Sequence, residues 1–530
     1  MRDLAYLKLL SREYPNIRAA ASDIINLQAI CGLPKGTEYF FSDLHGEHEA
    51  FIYLLRSSSG IIREKIRETF GHIISEEDEV RLANLIYYPE KMINQIKQAN
   101  EYTEDWQKTA VYRLVQICRE VSSKYTRSKV RKKMPKEFSG VIDELLYVDN
   151  TDDNKTEYYS ELINTLIDVR VADSFIVVIC SLIRSLTIDN LHILGDIFDR
   201  GPRPDIILEE LMHFHDVDIQ WGNHDISWMG AATGNRACIC NVLRMALGYN
   251  GFDVLEDGYG INLRPLSMFA ERVYRDDPCT CFLPQILDKN IYDAVDPKLA
   301  AKMHKAIAVL QYKEEGQIIK RHPEYGMEER ILLSAIRYDR GTVTIDGKEY
   351  PMRDMNFPTV DPADPLRLTD EEEELLHTLE LSFRHNARLH EHVRFLYSNG
   401  SMYKCCNSNL LYHGCIPMTE NREFDGLMVG GKMYRGKELM DFIDTQVKNA
   451  YFLPEDAPEK EACRDFMWYL WNGAKSPVFG KDKNRSFEHY FIEDPEVMRE
   501  TMNPYYQLSE KEDCCRKILK EFGLSPEEGH

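Results

Sequence analysis

Four short apolar runs along the chain each end in a polar loop carrying glycine, and nearly everything between them has the spacing of helices. The first run, Tyr39-Phe40-Phe41, closes in Ser42-Asp43-Leu44-His45-Gly46. The second, residues 188–195, leads into Asp196-Ile197-Phe198-Asp199-Arg200-Gly201. The third, residues 217–221, leads into Gly222-Asn223-His224-Asp225, and a weaker fourth, residues 409–413, ends at His413-Gly414. Apolar runs this short, bounded by glycine, predict buried strands. Their loops then stand at the carboxyl edge of a sheet, where open α/β folds bind ligands.

The intervening pattern predicts two helices in the first thirty residues, a break at Gly32-Leu33-Pro34-Lys35-Gly36, and a core that starts near Thr37. A helix is predicted over residues 49–57. Far more chain than one crossover helix needs separates His45 from Asp196. From residue 61 to about 168 that chain is helical and amphipathic. Its clearest helix opens on Thr103 as N-cap and carries Ala110, Val111, Leu114, Val115, Cys118 and Val121 on one stripe. Residues 174–186 are apolar and β-branched, and periodicity alone does not separate strand from buried helix there. A helix follows over residues 204–214. Residues 227–387 again read as mostly helical, including 298–309 and 375–381, with Thr369 and Glu372 spaced as a capping box. Within them, residues 342–350 form a hairpin whose turn is Asp346-Gly347. Gly430-Gly431-Lys432 and Gly436-Lys437 lack the spacing of a phosphate loop and read as turns. Residues 468–481 read as aromatic and loop-rich. The domain reading is a core made of residues 1–59, 185–235 and 400–530. A helical insertion spans 60–184, and a second, mostly helical one, spans 236–399 and covers or borders the site.

The loop residues suit a metal-dependent hydrolysis. Asp43 and His45 are two apart, so an extended backbone points both side chains to one side, where carboxylate and imidazole can share a divalent ion. Asp196 offers two oxygens and is the candidate bridge to a second ion, for which Asn223 and His413 supply an oxygen and a nitrogen. Two ions clamp the oxygens of an in-line displacement and lower the pKa of a bridging water. Arg200 suits the phosphoryl oxygens with its planar fork. His224 suits protonation of the leaving alcohol, with Asp199 to orient it and keep it charged. Each motif alone has an ordinary reading, as loop polars, a turn with an ion pair, or an Asx cap. Three in order, each closing an apolar strand, favour a binuclear phosphoesterase.

Asp43-x-His45, Gly195-Asp196-x-x-Asp199-Arg200-Gly201, Gly222-Asn223-His224-Asp225 and His413-Gly414 resemble the signature of the calcineurin-like metallophosphoesterases. Phe41-Ser42-Asp43-Leu44-His45-Gly46-Glu47, the long spacer before Gly195, Trp468-Tyr469-Leu470-Trp471-Asn472-Gly473 and Ser476-Pro477-Val478-Phe479-Gly480-Lys481 resemble one branch, the class III fructose-1,6-bisphosphatases of bacteria. The resemblance implies an α/β fold with a calcineurin-like core, two packed mixed β-sheets flanked by helices, and large helical insertions. It implies two divalent ions, Mn2+ first and Mg2+ as the alternative, and hydrolysis of the 1-phosphate of fructose 1,6-bisphosphate in gluconeogenesis. It also implies a last metal-binding Gly-His-x-Pro segment and closing strands. Gly529-His530 has no strand before it and no proline after it. The expectation is therefore a chain truncated at its C-terminus, with a loosely held second ion and little or no activity. A serine/threonine protein phosphatase would use the same residues, and a non-catalytic remnant or regulatory subunit is the reading from another class.

Charge narrows the partners. Lys and Arg total 65 against 87 Asp and Glu, a formal net charge of −22, which excludes broad attraction to nucleic acid or to an anionic membrane. A sugar bisphosphate must then meet locally placed cations. Lys475, Lys481 and Arg485 are the candidates for its second phosphate, against core packing as the ordinary reading of that segment. The basic run of Lys124, Arg127, Lys129, Arg131, Lys132, Lys133 and Lys136 reads as a solvated face, with an anionic effector site as the sharper alternative. Thirteen cysteines without a regular framework suggest reduced thiols and a cytoplasmic protein. The close pairs at 238/240, 279/281, 405/406 and 514/515 lack paired zinc spacing. Oligomeric state, homo-oligomers included, is left open.

Overall fold

The computed structural model describes residues 2–33, 36–147, 153–285 and 296–527. The terminal Gly529-His530 dipeptide lies outside them. The chain divides into two compact units, Met1–Tyr39 with Ile52–Leu191, and Phe40–Phe51 with His192–His530.

The first unit is helical. Helices Arg2–Glu13 and Ile17–Cys31 form where the periodicity places them. Thr103 caps helix Glu104–Ser122 by accepting the Trp106 N–H at 3.2 Å. That start phases the predicted stripe, Ala110 to Val121, into a core with Ile62, Ile66, Phe175, Ile179 and Ile183. The undecided stretch 174–186 is helix Ala172–Thr187. Phe175, Ile176, Ile179, Ile183 and Leu186 recur at three- and four-residue steps and are all buried, while Val177 and Val178 are only partly so. The basic run is mostly exposed, at Arg127, Lys129, Arg131, Lys132 and Lys136, but part of it is also paired. Lys124, Lys129 and Lys133 turn their ammonium groups onto the buried Asp189, at 3.7, 2.8 and 3.7 Å, and Arg131 pairs with Asp143 at 2.6 Å.

The strands are β1 (Glu38–Phe41), β2 (Asn190–Ile193), β3 (Val217–Gln220), β4 (Ile336–Arg337), β5 (Thr342–Ile345), β6 (Lys348–Pro351), β7 (Gly400–Ser401), β8 (Tyr403–Cys406), β9 (Asn409–Tyr412), β10 (Gly426–Val429) and β11 (Lys432–Arg435). One four-stranded sheet has the order β1-β2-β3-β7, with Ile219 of β3 opposite Gly400 of the parallel β7. Its strands are four residues or shorter; β1, β2 and β3 lead into three of the motif loops, whereas His413 follows β9, which belongs to a separate sheet. The other sheets are β4-β5-β6, β8-β9 and β10-β11. The chain is thus α/β, but among the described residues the expected two packed sheets are replaced by one sheet and three small antiparallel ones. The reason is local. β8 and β9 turn through Asn407-Ser408 at φ 47° and 69°, and β10 and β11 through Gly430-Gly431 at 57° and 79°. Two-residue turns of this hand fold each strand back on its neighbour.

Local signals elsewhere hold. Asp346 and Gly347 turn the β5–β6 hairpin at φ 50° and 76°. Thr369 Oγ1 accepts the Glu372 N–H, and Glu372 accepts the Thr369 N–H at 2.8 Å. Two expectations need correction. Gly436-Lys437 opens helix Gly436–Phe452, and Trp468–Asn472 is the last part of helix Lys460–Asn472. Trp468, Tyr469 and Leu470 are buried there, so the aromatic segment is helical until Gly473. Helix Pro297–Arg321 extends well past residue 309, because most of its length is buried.

Candidate active site

The second unit brings the three motif loops together by backbone hydrogen bonds. Asp43 donates its N–H to Gly195 O at 3.2 Å, His45 to Asp196 O at 2.8 Å, and Gly46 to Ile197 O at 2.8 Å. Gly195 sits at φ +81°, and a Cβ there would lie 2.7 Å from both the Gly222 nitrogen and His413 Nδ1. Gly222 is packed as closely against the Asp196 carboxylate, so only glycine admits these loops side by side. Four of the site candidates hold unusual backbones: Asp43, His45, Asp196 and Asp199 lie at φ 55°, 48°, 52° and 140°. Such conformations cost roughly 1–3 kcal/mol each for non-glycine residues and concentrate at functional sites.

Asp225 supplies much of the restraint. Its buried carboxylate accepts the N–H groups of Asp196 (2.9 Å), Ile197 (2.9 Å), Phe198 (3.3 Å) and Gly222 (3.0 Å). Burial and the charge of Asp196 push its carboxyl up to about 7, while the donated N–H groups pull it back. The sequence reading quoted Asp225 without a role, although Gly-x-x-Asp at a helix start was the available signal.

The remaining side chains converge on Asp196. His45 Nε2 lies 3.7 Å from Asp196 Oδ2 and 3.7 Å from Asp43 Oδ1. His413 Nε2 lies 3.4 Å from the same Asp196 Oδ2. Asp196 Oδ1 instead accepts the His224 N–H at 3.1 Å, at the start of helix Asn223–Thr233. Burial opposes ionisation of Asp196, but His45, the charges of His413 and His224, and that N–H hold its carboxyl at about 2. The Asp196 hydrogen bond raises the His45 imidazole above its ordinary range, against burial, and Asp199 and Asp43 reinforce it. Asp43, Asp196 and His413 present ligand atoms within 4.8 Å of one another. His413 donates Nδ1–H to Leu194 O at 2.7 Å, which turns Nε2 toward the Asp196 carboxylate. Acceptors held 3.4–3.7 Å apart match ligands sharing one ion with bonds of about 2.1 Å. The donor set, carboxylate oxygen with imidazole nitrogen, fits a borderline divalent ion.

Beside this group, His224 Nδ1 faces Asp199 Oδ1 at 3.4 Å, and Asp199 Oδ2 faces His45 Nδ1 at 3.8 Å and Arg200 Nε at 3.4 Å. Burial lowers the His224 imidazole below its ordinary range, and the Asp199 and Asp196 charges oppose that. Trp471 packs against His224, ring centres 4.8 Å apart. Arg200 is 44% exposed at its side chain and lies over the Tyr249 ring at 5.7 Å.

Asp43, His45, Asp196, Asp199, Arg200, Asn223 and His224 all line one cavity of about 670 Å³, which His413 adjoins through Asp196. Lys481 and Arg485 line it too, paired with Glu500 and Asp482 at 2.7 Å each. Lys475 is absent from that lining and pairs with Asp425. The sequence reading missed Arg244, His304 and Tyr490, which also line the cavity. One arginine in the otherwise apolar Val242-Leu243-Arg244-Met245-Ala246-Leu247 was the signal for the first; nothing local marked the other two.

Residues 5–530 match the family model described as Firmicute fructose-1,6-bisphosphatase. A Clostridium tetani protein named Fructose-1,6-bisphosphatase class 3 is 51% identical over 528 residues, covering 100% of this chain and 80% of its own. Proteins of the same name from Alkaliphilus metalliredigens and Bacteroides fragilis are each 50% identical, with the same coverage. The chain thus spans about four-fifths of the length of these relatives. Because the family match runs through residue 530, it lends no support to the expectation of a truncated chain. No solved structure matches the chain.

Proposed function

The chain belongs to the Firmicute fructose-1,6-bisphosphatase family, and on that premise we propose that it hydrolyses the 1-phosphate of fructose 1,6-bisphosphate with two divalent ions, manganese first. The observation that carries the metal reading is the convergence of Asp43, His45, Asp196 and His413, whose oxygen and nitrogen atoms face one another around Asp196 Oδ2. Asp43, His45 and Asp196 would hold one ion, and Asp196, Asn223 and His413 the other. Asp196 would serve both ions; its Oδ2 faces His45 and His413, while Oδ1 accepts the His224 N–H. Bound there, the ions would lower the pKa of an attacking water and polarise the phosphoryl group.

The side chains around them do the rest. Arg200 holds phosphoryl oxygens with its fork while Asp199 fixes its stem. His224 donates a proton to the departing alkoxide oxygen. Asp199 Oδ1, buried and without a hydrogen bond among the described residues, is the group that favours the charged imidazole against burial for that step. Trp471 fixes the ring and excludes water from its face.

The test is phosphate release by the purified chain, with manganese or magnesium, from fructose 1,6-bisphosphate and from a phosphoserine peptide. Turnover of the sugar bisphosphate is expected. Cleavage of the peptide alone would place the chain with the protein phosphatases.

A further inference from the structure

Arg244 is only 5% exposed, yet no carboxylate of the described residues pairs with it. Its guanidinium donates Nε–H to Gln311 Oε1 at 2.7 Å, Nη1–H to Tyr490 Oη at 3.1 Å and Nη2–H to Asn241 Oδ1 at 2.9 Å. All three acceptors are neutral. An arginine carries five N–H donors, so one remains on each terminal nitrogen. Negative charge reaches the group only at one remove, through Gln311, which donates to Glu315 at 2.8 Å.

The neutral partners are themselves held. His304 donates Nδ1–H to Phe282 O at 2.9 Å, which turns Nε2, as acceptor, to the Tyr490 hydroxyl at 2.9 Å. Burial and the neighbouring Arg244 push the His304 imidazole down to about 3, so it stays neutral and its Nε2 accepts a hydrogen bond from the Tyr490 O–H. Tyr490 is thereby left with its oxygen lone pairs toward Arg244. A chain from Phe282 to Arg244 therefore sets the orientation of a buried cation without neutralising it. A buried charge in this state is costly unless an anion meets it.

The cavity it lines is the one that holds Asp43, His45, Asp196, Arg200 and His224, and none of Arg244's hydrogen-bond partners belongs to that cluster. The cavity's other cations distant from the cluster in sequence, Lys481 and Arg485, already have carboxylates. Two free N–H donors on a planar fork suit two oxygens of one phosphate.

We propose that Arg244, oriented by Tyr490 and His304, binds the phosphate of the substrate that is not cleaved, and so selects bisphosphates over monophosphates. This rests on the phosphatase reading above. The uncleaved dianion supplies the charge that the protein withholds from Arg244. His304 and Tyr490 are positioning residues for that contact.

The experiment compares the wild type with R244M, R244K and Y490F on fructose 1,6-bisphosphate and on 4-nitrophenyl phosphate, at one concentration of the same divalent ion. For R244M, KM for the bisphosphate should rise roughly 100-fold, the scale of a lost charge-assisted hydrogen-bond pair, with kcat much less affected. Nitrophenyl phosphate has no second phosphate, so its hydrolysis should change far less. R244K should recover part of the affinity, and Y490F should raise KM for the bisphosphate alone. Fructose 1,6-bisphosphate should also compete with nitrophenyl phosphate in the wild type and much less in R244M. Equal losses on both substrates, or none, would overturn the assignment. If R244M shows no cooperative melting, unchanged bisphosphate KM in both R244K and Y490F overturns it instead. A wild type that cleaves nitrophenyl phosphate but no bisphosphate fails the function reading; the competition measurement then decides on Arg244 alone.

Discussion

Asp189 and Asp196 flank the same short strand, β2, and each is 5% exposed. Around Asp189 every neighbour brings a proton: the ammonium groups of Lys124, Lys129 and Lys133, the Thr37 N–H at 2.9 Å and the Tyr125 hydroxyl. Around Asp196 Oδ2 stand the imidazole nitrogens of His45 and His413, and His413 is oriented by donating Nδ1–H to Leu194 O. Burial works against both charges, and both carboxyls end below the usual range. What separates the two is who supplies the positive charge. Asp189 closes its account within the chain and is a structural pair. Asp196 is met by imidazoles that are themselves candidate ligands, and in the proposed reading bound ions complete its charge.

That contrast can be broken most sharply at Asp196. Asp196→Ala should abolish hydrolysis and release bound manganese, measured by phosphate release and metal content after gel filtration. Full activity with full metal content would end the binuclear assignment. Next in size is His224→Asn, which should lower turnover of the sugar bisphosphate by roughly 10²–10⁴ while metal content stays nearly unchanged. The deficit should shrink on nitrophenyl phosphate, whose leaving group needs no proton; an equal deficit on both would remove His224 from the acid role.

Asp189→Asn should leave the metal content unchanged and instead lower stability, by about 2–3 kcal/mol in denaturant melts, since three lysines lose their shared anion and Lys129 is half exposed. The pH dependence has a definite sign. The Asp189 carboxyl is depressed in the fold, chiefly by Lys129 and Tyr125 acting against burial. Its stabilisation is therefore complete above the ordinary aspartate range near about 4 and is lost as pH falls through the lower folded value. The gap between wild type and variant should be constant near neutrality and close on acidification. A gap that widens toward acid would contradict this. Smallest is Arg200→Lys: charge survives but the fork does not, so inorganic phosphate should inhibit roughly tenfold less well, the weight of one lost charge-assisted hydrogen bond.

Much of the site was legible because its signals are local. Asp43, His45, Asp196, Asp199, Arg200, Asn223 and His224 are announced by strand, glycine and polar loop within a few residues, and all line one cavity. Lys475, Lys481 and Arg485 were chosen by charge and nearness to the Trp-rich segment. The structure gives each a carboxylate, from Asp425, Glu500 and Asp482. Asp482 lies only three residues from Arg485, but Asp425 and Glu500 are distant from their lysines, and a sequence does not show a counter-ion that folding brings from far away.

By itself the sequence determined what depends on residues three or four apart. These are the Thr103 and Thr369 caps, the Asp346-Gly347 turn, the helical stripes and the glycine-bounded loops of the site. Such features rest on hydrogen bonds and backbone angles that neighbouring residues set among themselves. Only the tertiary structure decided that residues 174–186 are helical, that Trp471 packs against His224, that three lysines converge on Asp189 and that Arg244 is buried without an anion. Each of those depends on partners dozens to hundreds of residues away, and the energy of a charge or an aromatic ring is set by whatever folding brings beside it.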